Sequence, residues 1–178
     1  SFGCLGFVAH DIAHGGTIKS IPIRDLLAGI AFSPFAIGPM LWRKWHNGEH
    51  HTHTQVEGVD PDHLFTMEHY EQMPVLRFLY RLHPLLRNMV IFGSFTYRMS
   101  QQTLRMFFAY MFARNVTTRE RITILLQLLI PVAAWVGGTL LLGSQVFWWG
   151  YFVPLLVGNA LVIGYIATNH FLNPLADE

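Results

Sequence analysis

The chain has 178 residues, of which 52% are hydrophobic and only 13% are charged, and its formal net charge is +1. A soluble domain carries about 25% charged residues, and a disordered chain combines low hydrophobicity with high net charge, so this composition argues against both classes. The single cysteine excludes an internal disulfide framework, and a net charge of only +1 argues against the large positive field of a nucleic-acid-binding protein. Composition therefore indicates a membrane protein, and its unusual feature is a set of ten histidines.

The N-terminal residues 1–9 are apolar and lead directly into His10. They lack the basic start and the small-residue cleavage site of a signal peptide. We therefore interpret residues 1–14 as the end of a membrane helix whose beginning is missing. Because residues 173–178 resemble the start of a loop, we expect the chain to be a fragment of a longer protein.

Within residues 22–42, the apolar stretch 26–42 is interrupted by Pro34, Gly38 and Pro39. If it crossed the membrane, the histidines before it and after it would lie on opposite faces and could not share a site. We therefore predict an interfacial or re-entrant segment. We predict that residues 43–121 are a cytosolic region. Within it, residues 68–114 alternate apolar and basic side chains at helix-like spacing, which is typical of amphipathic helices at a membrane surface.

Two segments, 122–142 and 146–168, contain no charged residue. Each exceeds the roughly 20 residues that a spanning helix needs, and only 143–145 separate them, so they predict a transmembrane hairpin. Thr117 and Glu120 form a capping-box pattern at its start. Since every Lys and Arg lies within residues 1–121, the positive-inside rule places the hairpin tip opposite the cytosol and returns His170 to the cytosolic face.

Two histidine clusters have the spacing of metal ligands. His10 and His14 are four residues apart and share one face of a helix, although Asp11 stands where a zincin motif has glutamate. In the second cluster, 46–51, His46 and His50 share a face, while His51 lies about 100° around an α-helix from His50. Imidazole suits iron, zinc, copper and nickel, so the spacing predicts a metal site and leaves the metal open.

These motifs resemble those of the membrane fatty acid desaturases with histidine boxes. The first box corresponds to 10–14, and the second to 46–51 with Thr52-His53-Thr54 and Gly58-Val59-Asp60-Pro61-Asp62 downstream. Asn169-His170 with Asn173-Pro174-Leu175 is similar to the additional histidine that follows the last membrane helix in that family. The resemblance implies an all-α integral membrane protein, in which a C-terminal transmembrane hairpin accompanies cytosolic and interfacial helices that carry the histidine boxes.

The same resemblance implies a chemistry. In that family, two non-haem iron ions at the cytosolic face use O2, and electrons from a donor such as ferredoxin or cytochrome b5, to desaturate a fatty acyl chain. The acyl chain is linked to CoA, to a carrier protein or to a lipid. Asp11 and Glu49 are candidates for orienting the rings, whereas His53, His63, His69 and His83 are left out of the site. The implied catalytic metal ligands are His10, His14, His46, His50, His51 and His170.

The chain departs from the family pattern at both ends. The third box, H-x-x-H-H, and most of the first membrane hairpin are absent, so we expect a partial desaturase domain over 1–178 that is inactive alone. Two alternatives remain open. One is a related di-iron hydroxylase or ketolase of lipids or carotenoids, and the other is a non-catalytic membrane module that binds metal.

Overall fold

The computed structural model of the chain describes residues 2–56, 58–63 and 66–170, apart from the side chains of 163–170 and of Phe92, Phe95 and Thr96. Every regular element within these residues is helical, which confirms the all-α part of the predicted fold. A 3₁₀ turn and two π-helical turns, at Ser33–Phe35, His46–His50 and Val146–Phe152, adjoin the α-helices. The α-helices are α1 (Phe2–His14), α2 (Ile21–Phe32), α3 (Pro39–Trp45), α4 (Met67–Gln72), α5 (Pro74–Arg81), α6 (Pro84–Phe112), α7 (Thr118–Leu142) and α8 (Val153–His170).

Local sequence signals set several helix ends. Gly15, at φ 78°, follows α1 in the left-handed region, which glycine adopts without steric cost. At the start of α7, the Thr117 side chain accepts a hydrogen bond from the Glu120 backbone N–H, and the Glu120 carboxylate accepts one from the Thr117 N–H at 2.8 Å. The predicted capping box is therefore confirmed.

Helix α7 is 25 residues long and apolar enough to cross a membrane. It contains the predicted span 122–142, and most of its apolar side chains face outward, as they do when lipid surrounds a helix. The second predicted span, 146–168, is divided between the π-helical turn at Val146–Phe152 and α8. Its side chains beyond residue 162 lie outside the described residues, so this second span stays a prediction.

The chain bends by 88° between Ile21–Phe35 and Pro39–His50, which together are apolar enough to form one broken span or a re-entrant loop. Backbone that leaves the helix at membrane depth must find hydrogen-bond partners within the protein. Here the C-terminal helices supply them. The contacts are Gln127 Oε1 accepting from the Met40 N–H at 2.9 Å, Trp135 Nε1 donating to the Ser33 carbonyl at 3.1 Å, and the Tyr151 hydroxyl donating to the Pro34 carbonyl at 3.0 Å.

Helix α1 lies against α8 at a close backbone crossing. A Cβ atom built on Gly158 would lie 2.8 Å from the Gly3 nitrogen, so Gly158 depends on the absence of a side chain, and one built on Gly3 would make a tight contact of 3.3 Å with the Gly158 carbonyl oxygen. Small residues of this kind let membrane helices approach closely. On its other side α1 joins α2 and α3 in the buried core, through Ala9, Ala13 and Trp42 among others. This packing brings the end of α1 beside the end of α3.

Candidate metal centre

Five of the predicted ligand histidines converge at the ends of α1 and α3. His10 and His14 come from the last turns of α1, and their Nε2 atoms are 3.3 Å apart. The ring centroid of His46 lies 5.1 Å from that of His10 and 5.5 Å from that of His14, while His51 lies 5.0 Å from His14. One histidine cluster precedes the bend in the sequence and the other follows it. The fold therefore brings both clusters into one group of rings.

Three of these histidines offer a geometry that suits a metal ion. One ring nitrogen from each of His10, His14 and His46 lies within 4.8 Å of the other two. The Nδ1 atom of His46 contacts Asp62 at 2.8 Å, which leaves Nε2 as its available ligand atom. This Nε2 is buried and has no hydrogen-bond partner in the described part of the chain. Because buried polar atoms are rarely left unsatisfied, the atom fits a metal ligand, and an all-imidazole set accepts iron as well as zinc or copper.

The second box is a π-helical turn, and this differs from the α-helix that the spacing had suggested. The His51 N–H donates to the His46 carbonyl at 3.0 Å, a bond that spans five residues. Within this wider turn the three rings lie close together. Their centroids are 4.9 Å apart for His46 and His50, 4.8 Å for His46 and His51, and 5.3 Å for His50 and His51. Such π-turns occur frequently at functional sites.

Two aspartates from the following loop orient the rings of the second box. Asp60 contacts His50 Nδ1 at 2.7 Å, and Asp62 contacts His46 Nδ1 at 2.8 Å. A carboxylate on one ring nitrogen sets the tautomer and presents the other nitrogen to a ligand. Nothing in the local sequence pattern at Asp60-Pro61-Asp62 showed that this segment folds back onto the histidines.

Glu49 has a different partner from the one expected. Its carboxylate accepts a hydrogen bond from the hydroxyl of Tyr110, on α6. Lys44 lies 5.8 Å from the Tyr110 ring centroid and forms an ion pair with Glu120 at 2.7 Å. Partial burial and the hydrogen bond to Glu49 raise the pKa of Tyr110 well above its usual range, so the phenol stays protonated as a donor. Glu49 thus links the second box to α6, and Lys44 links α3 to α7, while Asp11 is exposed on α1.

Trp42 forms the apolar wall of the group. Only 5% of its surface is exposed, and its ring stacks on His46 with centroids 4.3 Å apart. Its centroid also lies 5.2 Å from that of His10 and 5.3 Å from that of His14. His10 keeps an exposed edge at the end of α1. Neutral imidazole is the form that binds metal.

The comparison with known proteins identifies the family. Residues 1–177 match the sequence model of the family described as Fatty acid desaturase. The chain belongs to the fatty acid desaturase family. No curated protein and no solved structure matches it significantly. Membership confirms the resemblance, and it indicates a desaturase-type oxidoreductase of lipid metabolism, in a family that is generally membrane-bound and typically uses a di-iron site.

The remaining histidines of this desaturase-family chain have other positions. His170 ends α8, but its side chain lies outside the described residues, so its relation to the other five is not described. The four that were left out of the site make local contacts. These are His53 to the Glu49 carbonyl at 3.3 Å, His63 to the Asp60 carbonyl at 3.0 Å, His69 to Thr66 at 2.9 Å in the cap of α4, and His83 to the Leu85 N–H at 3.3 Å at the start of α6.

Proposed function

We propose that this protein is an O2-dependent fatty acyl desaturase, which introduces a double bond through two non-haem iron ions held by histidines. The observation that supports the proposal is the convergence of five histidines, from two boxes, with ligand atoms of His10, His14 and His46 within 4.8 Å of one another. A catalytic metal site whose ligands are all imidazole rings also fits the family match over 1–177. The proposed metal ligands are His10, His14, His46, His50, His51 and His170.

The iron, when bound, would supply the redox chemistry that reduces O2 to two water molecules, with two hydrogens taken from the acyl chain and two electrons and two protons from the donor and solvent. The protein residues prepare the ligands for it. Asp60 and Asp62 hold the Nδ1 sides of His50 and His46, so that the Nε2 atoms are directed to the metal. Trp42 covers one side of His46 and keeps water from it. We propose an electron donor such as ferredoxin or cytochrome b5, and an acyl chain on CoA, a carrier protein or a lipid.

The proposed location is an integral, multi-pass membrane protein with its metal site at the cytosolic face. Three observations support this topology: the length of α7, the placement of every Lys and Arg before residue 122, and the 88° bend. In this arrangement residues 1–14 are the end of a membrane helix, 22–42 form a re-entrant segment, 43–121 are cytosolic, and 122–170 form the transmembrane hairpin. The re-entrant segment leaves both histidine boxes on one side of the bilayer.

The test is expression of the full-length protein in a host that lacks its own desaturase, with mass spectrometry of the cellular fatty acids and elemental analysis of the purified protein. We expect unsaturated product and iron in the wild type. We expect His14→Ala and His50→Ala to abolish the product and to lower bound iron, because each opens the coordination sphere. His83→Ala is the matched control, since this exposed ring contacts only the first turn of α6 among the described residues.

The outcomes separate the proposed activity from its alternatives. Hydroxylated or keto products would assign the site to a hydroxylase or ketolase and contradict desaturation. Zinc without any lipid product would point to a non-catalytic metal-binding module. A loss of product in His83→Ala equal to that in His50→Ala would contradict the ligand assignment.

A further inference from the structure

The segment 72–119 has a charge distribution unlike that of the remaining chain. It contains seven arginines and no aspartate or glutamate, whereas all 11 acidic residues of the chain lie outside it. This basic segment runs from the last residue of α4 through α5, α6 and the following loop to the first two residues of α7. Its arginines are Arg77, Arg81, Arg87, Arg98, Arg105, Arg114 and Arg119.

Most of this positive charge is uncompensated on the surface. Five of the arginines are exposed: Arg77, Arg81, Arg105, Arg114 and Arg119. In the part of the chain that the structure describes, none of these five forms an ion pair with a carboxylate, because the pairs there involve Arg43, Lys44, His46 and His50. A surface of this kind attracts a negatively charged partner.

Large apolar side chains stand among the exposed arginines. On α5, Val75 is 64% exposed and Phe78 is 62% exposed, while Leu76 is buried. At the start of α6, Leu85 is 67% exposed and Met89 is 66% exposed. The helix α5 therefore presents apolar side chains outward with arginines at its flank, the pattern of a helix that lies in the headgroup region of a bilayer.

We propose that α5 and the first turns of α6 dock onto anionic lipid headgroups at the face where α7 enters the membrane. Arg77 and Arg81 bind the lipid phosphates, and Val75 and Phe78 insert beneath them. The inference rests on α7 lying in the bilayer, but not on the desaturase chemistry. The positive-inside rule assigns α5 to the same side of the membrane as the start of α7, and the bilayer surface on that side carries anionic lipid. An acidic protein partner would explain the arginines, but not the large apolar side chains that project between them on two successive helices.

The experiment uses the full-length protein without other cysteines, which requires Cys4→Ser, and with Val75→Cys carrying an environment-sensitive fluorophore. The protein is placed in nanodiscs of phosphatidylcholine alone or of an equimolar mixture with phosphatidylglycerol. In the mixed discs we expect a blue-shifted emission that a lipid-borne spin label quenches. The signal should be weaker in phosphatidylcholine alone and should fall at high salt, because salt screens the attraction.

Two charge-matched variants complete the test. Arg81→Gln and Lys19→Gln each remove one exposed positive charge, but Lys19 lies outside the basic segment and contacts the Gly15 carbonyl. Arg81→Gln should lower the docked-to-undocked ratio about fivefold in mixed discs, and Lys19→Gln should leave it unchanged.

Three results would overturn the proposal. The first is an equal signal in both lipid compositions. The second is an emission typical of water in both, together with a response to an added acidic electron carrier, which would make the surface a protein docking site. The third is failure of the protein to enter the discs, which would refute the spanning assignment of α7. Loss of desaturase activity with retained lipid docking would leave this inference standing and remove only the proposed function.

Discussion

Asp60 is the residue on which the second histidine box most depends. Its side chain is completely buried, and it accepts hydrogen bonds from the His50 ring at 2.7 Å and from the backbone N–H groups of Gln55 and Asp62 at 2.8 Å each. Burial acts to raise the pKa of Asp60, but these three hydrogen bonds outweigh it and leave the pKa below its usual range. One carboxylate thereby orders the loop and fixes the ring of His50.

Asp60→Asn should weaken metal binding in the full-length protein. The amide removes the negative charge and turns an NH2 group toward donors, so His50 loses its fixed orientation. Losses of this type are roughly 10- to 100-fold in metal affinity. The dissociation constant measured by chelator competition checks this. Asp11→Asn is the matched control, because Asp11 is exposed and directly follows His10. Equal losses in the two variants would contradict the role that we give to Asp60.

At the scale of elements, the orientation of α3 relative to α2 determines where the site forms. The Arg43 guanidinium on α3 donates two hydrogen bonds to the Asp25 carboxylate on α2, which ties the two helices across the bend. From the other side, the Gln127 side chain on α7 accepts a hydrogen bond from the Met40 backbone N–H. The bend is thus held by side chains of three helices.

Gln127→Leu tests this support. Leucine has a similar size and is favourable in a membrane helix, but it leaves the Met40 N–H without its acceptor. Because an unsatisfied buried donor costs about 1–3 kcal/mol, the melting temperature in detergent should fall. Gln145→Leu, at the exposed tip of the hairpin, is the control and should change little. A Gln127→Leu protein as stable as the control would show that this hydrogen bond does not hold the bend.

For the whole molecule, the common position of the histidines is linked to the path through the membrane that we propose for the chain. The rings of α1 and of the second box are in contact, although the apolar residues 22–42 lie between them in sequence. With α7 spanning, a chain that folds back at the bend keeps the site on the side that carries the arginines.

Cysteine labelling in intact cells tests the topology. In a protein without other cysteines, Ser144→Cys at the hairpin tip should react with a membrane-impermeant thiol reagent. Ser100→Cys on α6 should react only after permeabilisation, because the positive-inside rule places the basic residues in the cytosol. Both positions are exposed, so access to the reagent depends on the side of the membrane. Equal reactivity of the two cysteines before permeabilisation would refute the arrangement.

The sequence by itself determined the features that depend on neighbouring residues and on the solvent. The uncharged run 122–142 predicts α7 because burial in lipid depends on local hydropathy, and Thr117 with Glu120 predicts its start because a cap acts within one turn. The spacing of His10 and His14 likewise places both rings on one helix face. The argument that the two boxes share a side predicts that 22–42 does not simply cross, and the 88° bend, which fits a broken span or a re-entrant loop, leaves this a prediction.

Only the tertiary structure decided the contacts between distant parts of the chain. Asp60 and Asp62 contact the histidines, and Glu49 is hydrogen-bonded to Tyr110. The local periodicity of the sequence predicts neither of these contacts. The π-turn at 46–50 was missed for a related reason. A widened turn has poorer intrinsic energetics than an α-helix, so it persists where the surrounding packing holds it, here around the buried rings of Trp42 and Trp45 and the His50–Asp60 bond.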